Sequence, residues 1–191
     1  MKGVVIFLAD GFEDMEALAT RDILVRGGID VRTVSITEDP TVVSSHGVSL
    51  WADMTYDEYC DEAGDGPAVR EDVMVFPGGM PGSSHLAEHA GLVDRMKRHY
   101  AEGGTVATIC AAPGLVLSQL DPLRGVRFTC FEGFQGPMLE KGAVYEPESV
   151  VIDGRIITGR GAGHAVNFGL HILSYLKGQA EADRVREGLM L

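Results

Sequence analysis

The stretch TVATICAAPG (residues 105–114) places a cysteine where a buried strand ends and a helix begins. Residues 105–109 are short, β-branched or apolar, as in a strand that is covered on both faces. The mostly apolar residues 111–117 then favour a helix whose first turn tolerates Pro113. Cys110 would therefore face the carboxyl edge of a sheet and the N-terminus of a helix, and both settings favour a thiolate.

Strands and helices alternate along the rest of the chain. Further strands are predicted at 3–9, 29–36, 72–76 and 155–159, with a short hairpin within 41–54. Helices are predicted at 13–28, 84–89, 91–102, 164–178 and 179–188. Two stretches have weaker patterns: a surface loop or short helix with a loop at 57–71, and irregular or strand-like chain at 126–152. The alternation predicts an α/β fold with a parallel sheet between helices, in one domain over residues 1–191.

The composition is typical of a globular protein, with 45% hydrophobic and 23% charged residues. A formal net charge of −12 argues against nucleic acid or an anionic membrane as a main partner. No apolar run has the length of a membrane span. Met1 leads almost directly into a strand without the features of a signal peptide, so a cytoplasmic location is expected.

The three cysteines, Cys60, Cys110 and Cys130, are too few and too scattered for a disulfide framework. No pair of them has the two-residue spacing of a zinc or thioredoxin motif. The histidines are not expected to form a metal site either. We therefore expect no metal site.

Four loops are expected to meet beyond the carboxyl ends of the strands, where open α/β sheets bind their ligands. They are residues 10–14, 77–82, 110–113 and 159–164. Three of them contain glycines, which allow the backbone to approach a ligand closely. This convergence predicts a crevice around Cys110.

Glu16 lies in the first turn of the first predicted helix and could lean over the same crevice, or could be a solvated carboxylate at a helix start. If it meets Cys110, the carboxyl pKa should rise, the thiol pKa should fall, and the two groups should titrate as a unit. The amides of Gly79 and Ala111 could both point at an oxygen on the carbon that the cysteine attacks.

Four motifs resemble the successive signatures of the ThiJ/PfpI superfamily. They are LADGFEDMEA (8–17), VFPGGMPG (75–82), ICAAPGLVL (109–117) and TGRGAGHAVNFGL (158–170). The resemblance runs from about residue 3 to residue 178 and is greatest to the branch containing the Parkinson-disease-associated deglycase. It implies a flavodoxin-like three-layer sandwich with a mostly parallel central sheet, a strand-to-helix nucleophile elbow, and a homodimer with the first helix near the interface.

The same resemblance implies roles for individual residues. Cys110 would be the nucleophile and Glu16 its carboxylic-acid partner, while Gly78, Gly79 and Ala111 would bind the oxyanion or the substrate. The implied activities are cofactor-free conversion of methylglyoxal or glyoxal to a hydroxy acid and removal of early glycation adducts. Redox sensing and stress protection are also implied.

The sequence departs from the family pattern around the nucleophile. A histidine common in the family falls, by counting from Cys110, at Cys130, and an arginine common in the hairpin is replaced by His46. His164 could substitute for the histidine or could be a helix-cap residue facing solvent, and Ala162 beside it belongs to the same candidate pocket. Cys130 could be a second pocket thiol that captures oxidised Cys110, or a buried core cysteine.

Three functions remain open from the sequence. The first is a glyoxalase or deglycase, in which the Cys110 thiolate adds to a small aldehyde or a glycated substrate. The second is a redox-sensing protein in which Cys110 is oxidised to a sulfinic acid. The third, a cysteine peptidase or amidase, is disfavoured because such relatives carry a histidine directly after the cysteine, where this chain has Ala111.

Overall fold

A computed structural model describes residues 2–63 and 71–191. The strands are β1 (Val4–Leu8), β2 (Val31–Ser35), β3 (Thr41–Val43), β4 (Ser49–Trp51), β5 (Met54–Thr55), β6 (Val73–Phe76), β7 (Thr105–Ile109), β8 (Arg127–Phe128), β9 (Val144–Tyr145), β10 (Val150–Asp153) and β11 (Ile156–Gly159). The helices are α1 (Asp14–Arg26), α2 (Tyr56–Ala63), α3 (Gly82–Glu88), α4 (Ala90–Ala101), α5 (Ala112–Leu115), α6 (Gly136–Glu140), α7 (Ala165–Lys177) and α8 (Gln179–Gly188).

Seven of these strands form the central sheet of the described chain, in the order β10-β11-β7-β6-β1-β2-β5. Neighbouring strands in it run parallel, apart from β10 and β11, which are antiparallel. β3 and β4 form a separate hairpin, and β8 pairs with β9. The predicted α/β class with a mostly parallel sheet is confirmed.

The sheet is covered on both faces, as the unbroken apolar runs of its strands predict. In β1, Val5 and Phe7 point into one apolar layer, whereas Ile6 and Leu8 point into the other. Side chains of α2 to α6 complete the first layer, and side chains of α1, α7 and α8 complete the second. Because alternate strand residues point to opposite faces, an apolar strand such as β1 buries side chains in both helical layers.

Most predicted elements are found, with shifted ends. The region 41–54 forms the β3–β4 hairpin, but Met54 already belongs to the central sheet, where it pairs with Val34. Within the predicted loop or short helix at 57–71, α2 is a helix, while residues 64–70 lie outside the described residues. The weakly patterned region 126–152 contains β8, α6, β9 and the start of β10.

The helix expected after Cys110 is much shorter than predicted. α5 has four residues and gives way to a 3₁₀ turn at Leu117–Gln119. A Cβ on Gly114 would overlap the carbonyl of Phe134, so α5 packs too closely against its neighbour for a larger residue there. Across the described ranges, 2–63 and 71–191, we find no helix with both the length and the apolar character needed to cross a membrane.

Candidate active site

Cys110 occupies a strained turn between β7 and α5. Its φ of 65° lies in the left-handed region, which residues other than glycine adopt at a cost in free energy. Two backbone hydrogen bonds hold the turn: Cys110 donates its N–H to the Gly159 carbonyl at 3.0 Å and accepts the Phe131 N–H at 2.8 Å. Such a turn presents a nucleophile at the carboxyl edge of a sheet, as in the nucleophile elbow of hydrolases.

Glu16 is fully buried in the first turn of α1. Glu13 starts the helix by accepting the Glu16 N–H at 2.8 Å, and Glu16 Oε2 accepts the Gly78 N–H at 2.7 Å. Glu16 Oε1 is buried and receives no N–H or O–H bond from the described part of the chain. The Cys110 thiol is the neighbouring polar group, and its interaction with Glu16 lowers the carboxyl pKa.

Gly78 is the point at which Cys110 and Glu16 meet. A Cβ on this glycine would overlap Cys110 Cβ and would lie 2.5 Å from Glu16 Oε2 and 3.0 Å from Cys110 Sγ. Atoms that are not bonded do not approach so closely, so any side chain at position 78 would push the two groups apart. The absence of a side chain therefore permits the contact between thiol and carboxyl.

The proton equilibrium of this pair differs from the expectation. Burial raises the pKa of Glu16 to about 7, as predicted. Burial also raises the pKa of the Cys110 thiol to about 12, and the charge and hydrogen bond of Glu16 add to that rise. The expected fall in the thiol pKa on contact with Glu16 is therefore not found, because burial and the neighbouring carboxylate both favour the protonated thiol. Above pH 7 the structure therefore favours a thiol beside a carboxylate.

Two backbone amides oppose the rise in the thiol pKa. The N–H groups of Gly79 and Ala111 both bond to the Cys110 side chain and lower its pKa. Gly79 has a φ of 90°, and a Cβ there would overlap the backbone of Gly11 and Glu13. Both amides thus point at the place where negative charge would develop on sulfur or on an attached oxygen.

A cavity of about 370 Å³ lies beside the Cys110 turn. Its lining residues are Phe131, Glu132, Arg160, Gly161, Ala162, Gly163 and His164. Arg160 bonds to Glu132 Oε1 at 3.0 Å and to the Pro147 carbonyl at 3.1 Å. Ala162 and His164 were candidate pocket residues, whereas Phe131 and Arg160 were not singled out. Arg160 could have been identified from its position in the GRGAGH loop (159–164), one of the four loops predicted to form the crevice.

Cys130 does not lie on this cavity. It is fully buried and packs into the layer of α2 to α6, whereas Cys110 packs against the opposite layer. Burial raises the pKa of Cys130 to about 11. Of the two sequence-based alternatives, the structure agrees with a core cysteine. Its neighbour Phe131 lines the cavity.

His46 lies on the exposed turn between β3 and β4, and its Nδ1 is 2.7 Å from Asp14 Oδ2. That hydrogen bond raises the pKa of His46. Ligand atoms of Glu13, Asp14 and His46 lie within 4.8 Å of one another. Both carboxylates make structural hydrogen bonds: Glu13 caps α1, and Asp14 accepts the Ser44 hydroxyl at 2.6 Å.

One histidine pair has metal-site spacing that the sequence-based expectation passed over. His85, Glu88 and His89 form an H-x-x-E-H pattern. The structure uses both rings otherwise: His85 Nδ1 lies 3.1 Å from the Asp10 carbonyl, and His89 Nδ1 accepts the Leu92 N–H at 3.1 Å. α3 ends at Glu88, so the two histidines are not on one continuous helix face.

Comparisons with known proteins agree with this architecture. The profile of the DJ-1/PfpI family matches residues 2–175. The chain is 30% identical to protein dj-1beta of Drosophila melanogaster, covering 100% of this chain and 97% of that protein. It is 33% identical to protein DJ-1 homolog A of Arabidopsis thaliana, of which it spans 47%. A protein of Caenorhabditis elegans named glutathione-independent glyoxalase DJR-1.2 is 29% identical, and the match covers 98% of this chain and 95% of that protein.

Solved structures resemble the whole chain. The crystal structure of a mutant DJ-1 superfamily protein from Salmonella typhimurium has a TM-score of 0.89 and 35% identity, covering 100% of this chain and 98% of that one. Oxidised DJ-1 of Toxoplasma gondii has a TM-score of 0.88 and 27% identity, covering 98% of this chain and 97% of that one. With an α/β fold, a cysteine on a strained turn and a match over most of its length, this chain belongs to the DJ-1/PfpI family.

Proposed function

We propose that this protein is a cofactor-independent enzyme of the glyoxalase type, which converts a 2-oxo aldehyde and water into a 2-hydroxy acid. The contact of Cys110 and Glu16 across Gly78, next to two convergent amides, carries the proposal. The name of the Caenorhabditis elegans relative supports the same reaction class. Early glycation adducts contain related carbonyl carbons and are alternative substrates of the same site.

The first step is addition of Cys110 Sγ to the aldehyde carbon. Glu16, whose pKa is raised to about 7, is a carboxylate at neutral pH and takes the thiol proton as the C–S bond forms. The aldehyde oxygen gains negative charge and is stabilised by the amides of Gly79 and Ala111. Return of the proton from Glu16 to that oxygen gives a neutral hemithioacetal and a free carboxylate.

The second step moves hydrogen between neighbouring carbons. The Glu16 carboxylate removes the proton from the carbon bonded to sulfur and delivers it to the adjacent carbonyl carbon, while the proton of the hemithioacetal hydroxyl passes to the former ketone oxygen, which leaves a 2-hydroxy thioester. Water then cleaves the C–S bond, releasing the 2-hydroxy acid and the Cys110 thiol. The substrate is oxidised at one carbon and reduced at the next, so the reaction needs no external redox partner.

A redox-sensing role is the second candidate, because the same groups suit an oxidised cysteine. A sulfinate on Cys110 would accept hydrogen bonds from the Gly79 and Ala111 amides, and a protonated Glu16 would donate another. The raised pKa of Glu16 favours that protonated form once an anion stands beside it. Both roles require Cys110 to be accessible, and it is partly exposed.

We further infer a homodimer. Three large apolar side chains, Met15, Val48 and Trp51, are exposed on the start of α1 and on the β3–β4 hairpin. The hairpin is held to this end of α1, since Ser44 bonds to Asp14 and the Ser45 N–H to the Phe12 carbonyl. Adjoining exposed apolar residues of this kind favour a protein interface.

Methylglyoxal consumption and lactate formation test the proposed enzyme. Wild type should produce lactate, whereas Cys110→Ser and Glu16→Gln should lower kcat by at least about 100-fold. Cys60→Ser is the matched control, because Cys60 is also partly exposed but lies on α2, and it should keep wild-type turnover. Turnover that survives in Cys110→Ser contradicts the proposal.

A further inference from the structure

The cavity beside Cys110 is bounded by two segments that are both bonded to the main chain of that cysteine. Phe131 donates its N–H to the Cys110 carbonyl, and the Cys110 N–H bonds to Gly159, directly before Arg160. The walls that contain Phe131 and Arg160 are thereby held against the turn that carries the sulfur. The cavity therefore lies next to the main chain of the residue that carries the proposed nucleophile.

The cavity is much larger than a methyl group requires. An apolar cavity of roughly 150 Å³ accommodates benzene. The volume of about 370 Å³ beside Cys110 therefore admits a six-membered ring. The methyl group of methylglyoxal would leave most of this space to water.

The wall of the cavity suits a flat, uncharged group. The Phe131 side chain is 51% exposed, so its ring has a face or edge free for a ligand. It packs over the backbone of Gly161, where a Cβ would lie 3.3 Å from the ring. The nearby charges of Arg160 and Glu132 are paired at 3.0 Å and largely cancel. An aromatic substituent would gain a ring contact and would meet no unpaired charge from these two residues.

We propose that Phe131 forms a subsite that selects 2-oxo aldehydes with an aromatic substituent over methylglyoxal. This inference rests on the proposed glyoxalase function and specifies its substrate class. With phenylglyoxal, the reaction adds water and yields mandelate by the steps already described, with no further reactant. Burial of a ring against Phe131 should raise kcat/KM over that for methylglyoxal by about tenfold.

The kinetic test compares kcat/KM for phenylglyoxal and methylglyoxal. Wild type should favour phenylglyoxal by about tenfold, and Phe131→Ala should abolish most of that preference. Gly163 also lines the cavity, and a Cβ there meets nothing within 4 Å. Gly163→Leu should therefore occupy cavity space while keeping Phe131, and should lower the ratio of the two kcat/KM values as well. The control is Leu139→Ala on α6, a similarly exposed apolar residue at 46%, which should keep the wild-type ratio. An unchanged ratio in both cavity variants overturns the subsite.

A binding test separates the subsite from the reaction. Acetophenone should protect Cys110 against alkylation by iodoacetamide at concentrations where acetone does not, and Phe131→Ala should lose this protection. If neither aldehyde is consumed but acetophenone still protects only the wild type, the subsite stands and the proposed glyoxalase function fails. If acetophenone protects no better than acetone, the subsite itself is wrong.

Discussion

Glu16 and Cys110 come from positions 94 residues apart in the sequence and meet at one glycine. Gly78 donates its N–H to Glu16 Oε2 at 2.7 Å, while the position of its missing Cβ lies within 3.0 Å of Cys110 Sγ. Gly78, in the loop after β6, therefore contacts both the Glu16 carboxyl on α1 and the Cys110 thiol on the β7–α5 turn.

Gly78→Ala should separate the pair. The added methyl group overlaps Cys110 Cβ and approaches Glu16 Oε2, so we expect a loss of about 1–3 kcal/mol in the free energy of unfolding. Displacement of the reacting groups should also lower kcat/KM on the order of 100-fold. Urea unfolding and aldehyde turnover measure the two effects. Gly136→Ala, where a Cβ meets nothing within 4 Å, should leave both values near wild type.

The activity should depend on the ionisation of Glu16. Because the pKa of Glu16 is raised to about 7, the carboxylate needed to take the thiol proton is depleted below that pH. We expect log kcat/KM for aldehyde turnover to rise with a slope of about one below pH 7 and to level off above it. A pH profile that is already flat between pH 5 and 7 would rule out Glu16 as the base.

Glu16→Gln should stabilise the protein at alkaline pH. The carboxyl pKa is raised from 4.5 to about 7 by folding, so the folded state binds more protons in this interval and wild-type stability falls as the pH rises through it. At 1.36 kcal/mol per pKa unit, the loss above pH 7 is about 3 kcal/mol. Urea unfolding should therefore show the variant more stable than wild type at pH 8, with a much smaller difference near pH 4.5.

The matched control for that experiment is Glu181→Gln on α8. Glu181 is paired with Arg184 at the surface, and the pairing lowers its pKa rather than raising it. Its replacement should not stabilise the protein at pH 8. Equal stabilisation by both variants would point to net charge, and not to burial of Glu16, as the cause.

Peroxide should oxidise Cys110 without forming a disulfide to Cys130. Cys110 is partly exposed, whereas Cys130 is fully buried and packs on the other face of the sheet. We expect peptide mapping after mild peroxide to find sulfinic acid at Cys110 and a free thiol at Cys130. Cys130→Ala should give the same product at Cys110, and a Cys110–Cys130 disulfide in wild type would contradict the core assignment.

Trp51 should report on self-association. It is the only tryptophan of the chain, it is 74% exposed, and it lies on the hairpin next to α1. Burial in a homodimer should shift its emission to shorter wavelength, and dilution to the monomer should reverse the shift. Sedimentation of wild type and Trp51→Glu measures the mass directly, and we expect the charged variant to be monomeric. A wild type that sediments as a monomer at micromolar concentration refutes the dimer.

The sequence predicts the shared location of Glu16 and Cys110 because the signal for each residue is local. Residues 4–8 form an apolar strand and residues 105–109 a buried strand of short, β-branched or apolar residues, and parallel strands bring whatever follows them to one edge of a sheet. Glu16 and Cys110 each come shortly after such a strand. The parallel arrangement places both residues at one edge of the sheet, and the family resemblance implied that they pair.

Features that depend on distant packing could not be predicted in this way. The close packing of α5 against the carbonyl of Phe134, which lies 20 positions beyond Gly114, has no signature in the local sequence. The pocket position of Phe131 depends on the register between the 126–131 segment and the Cys110 carbonyl.

The two ends of the central sheet bear on how the chain avoids aggregation. An open row of backbone N–H and C=O groups at a sheet edge can recruit strands from other molecules. On one side the last strand, β5, has two residues and runs directly into α2. On the other side the last strand is β10, and β8 lies beside it: Arg127 of β8 donates its backbone N–H to the Asp153 side chain of β10 at 2.8 Å. Neither edge offers a long, flat template, so this sheet can stay separate from its copies at high concentration.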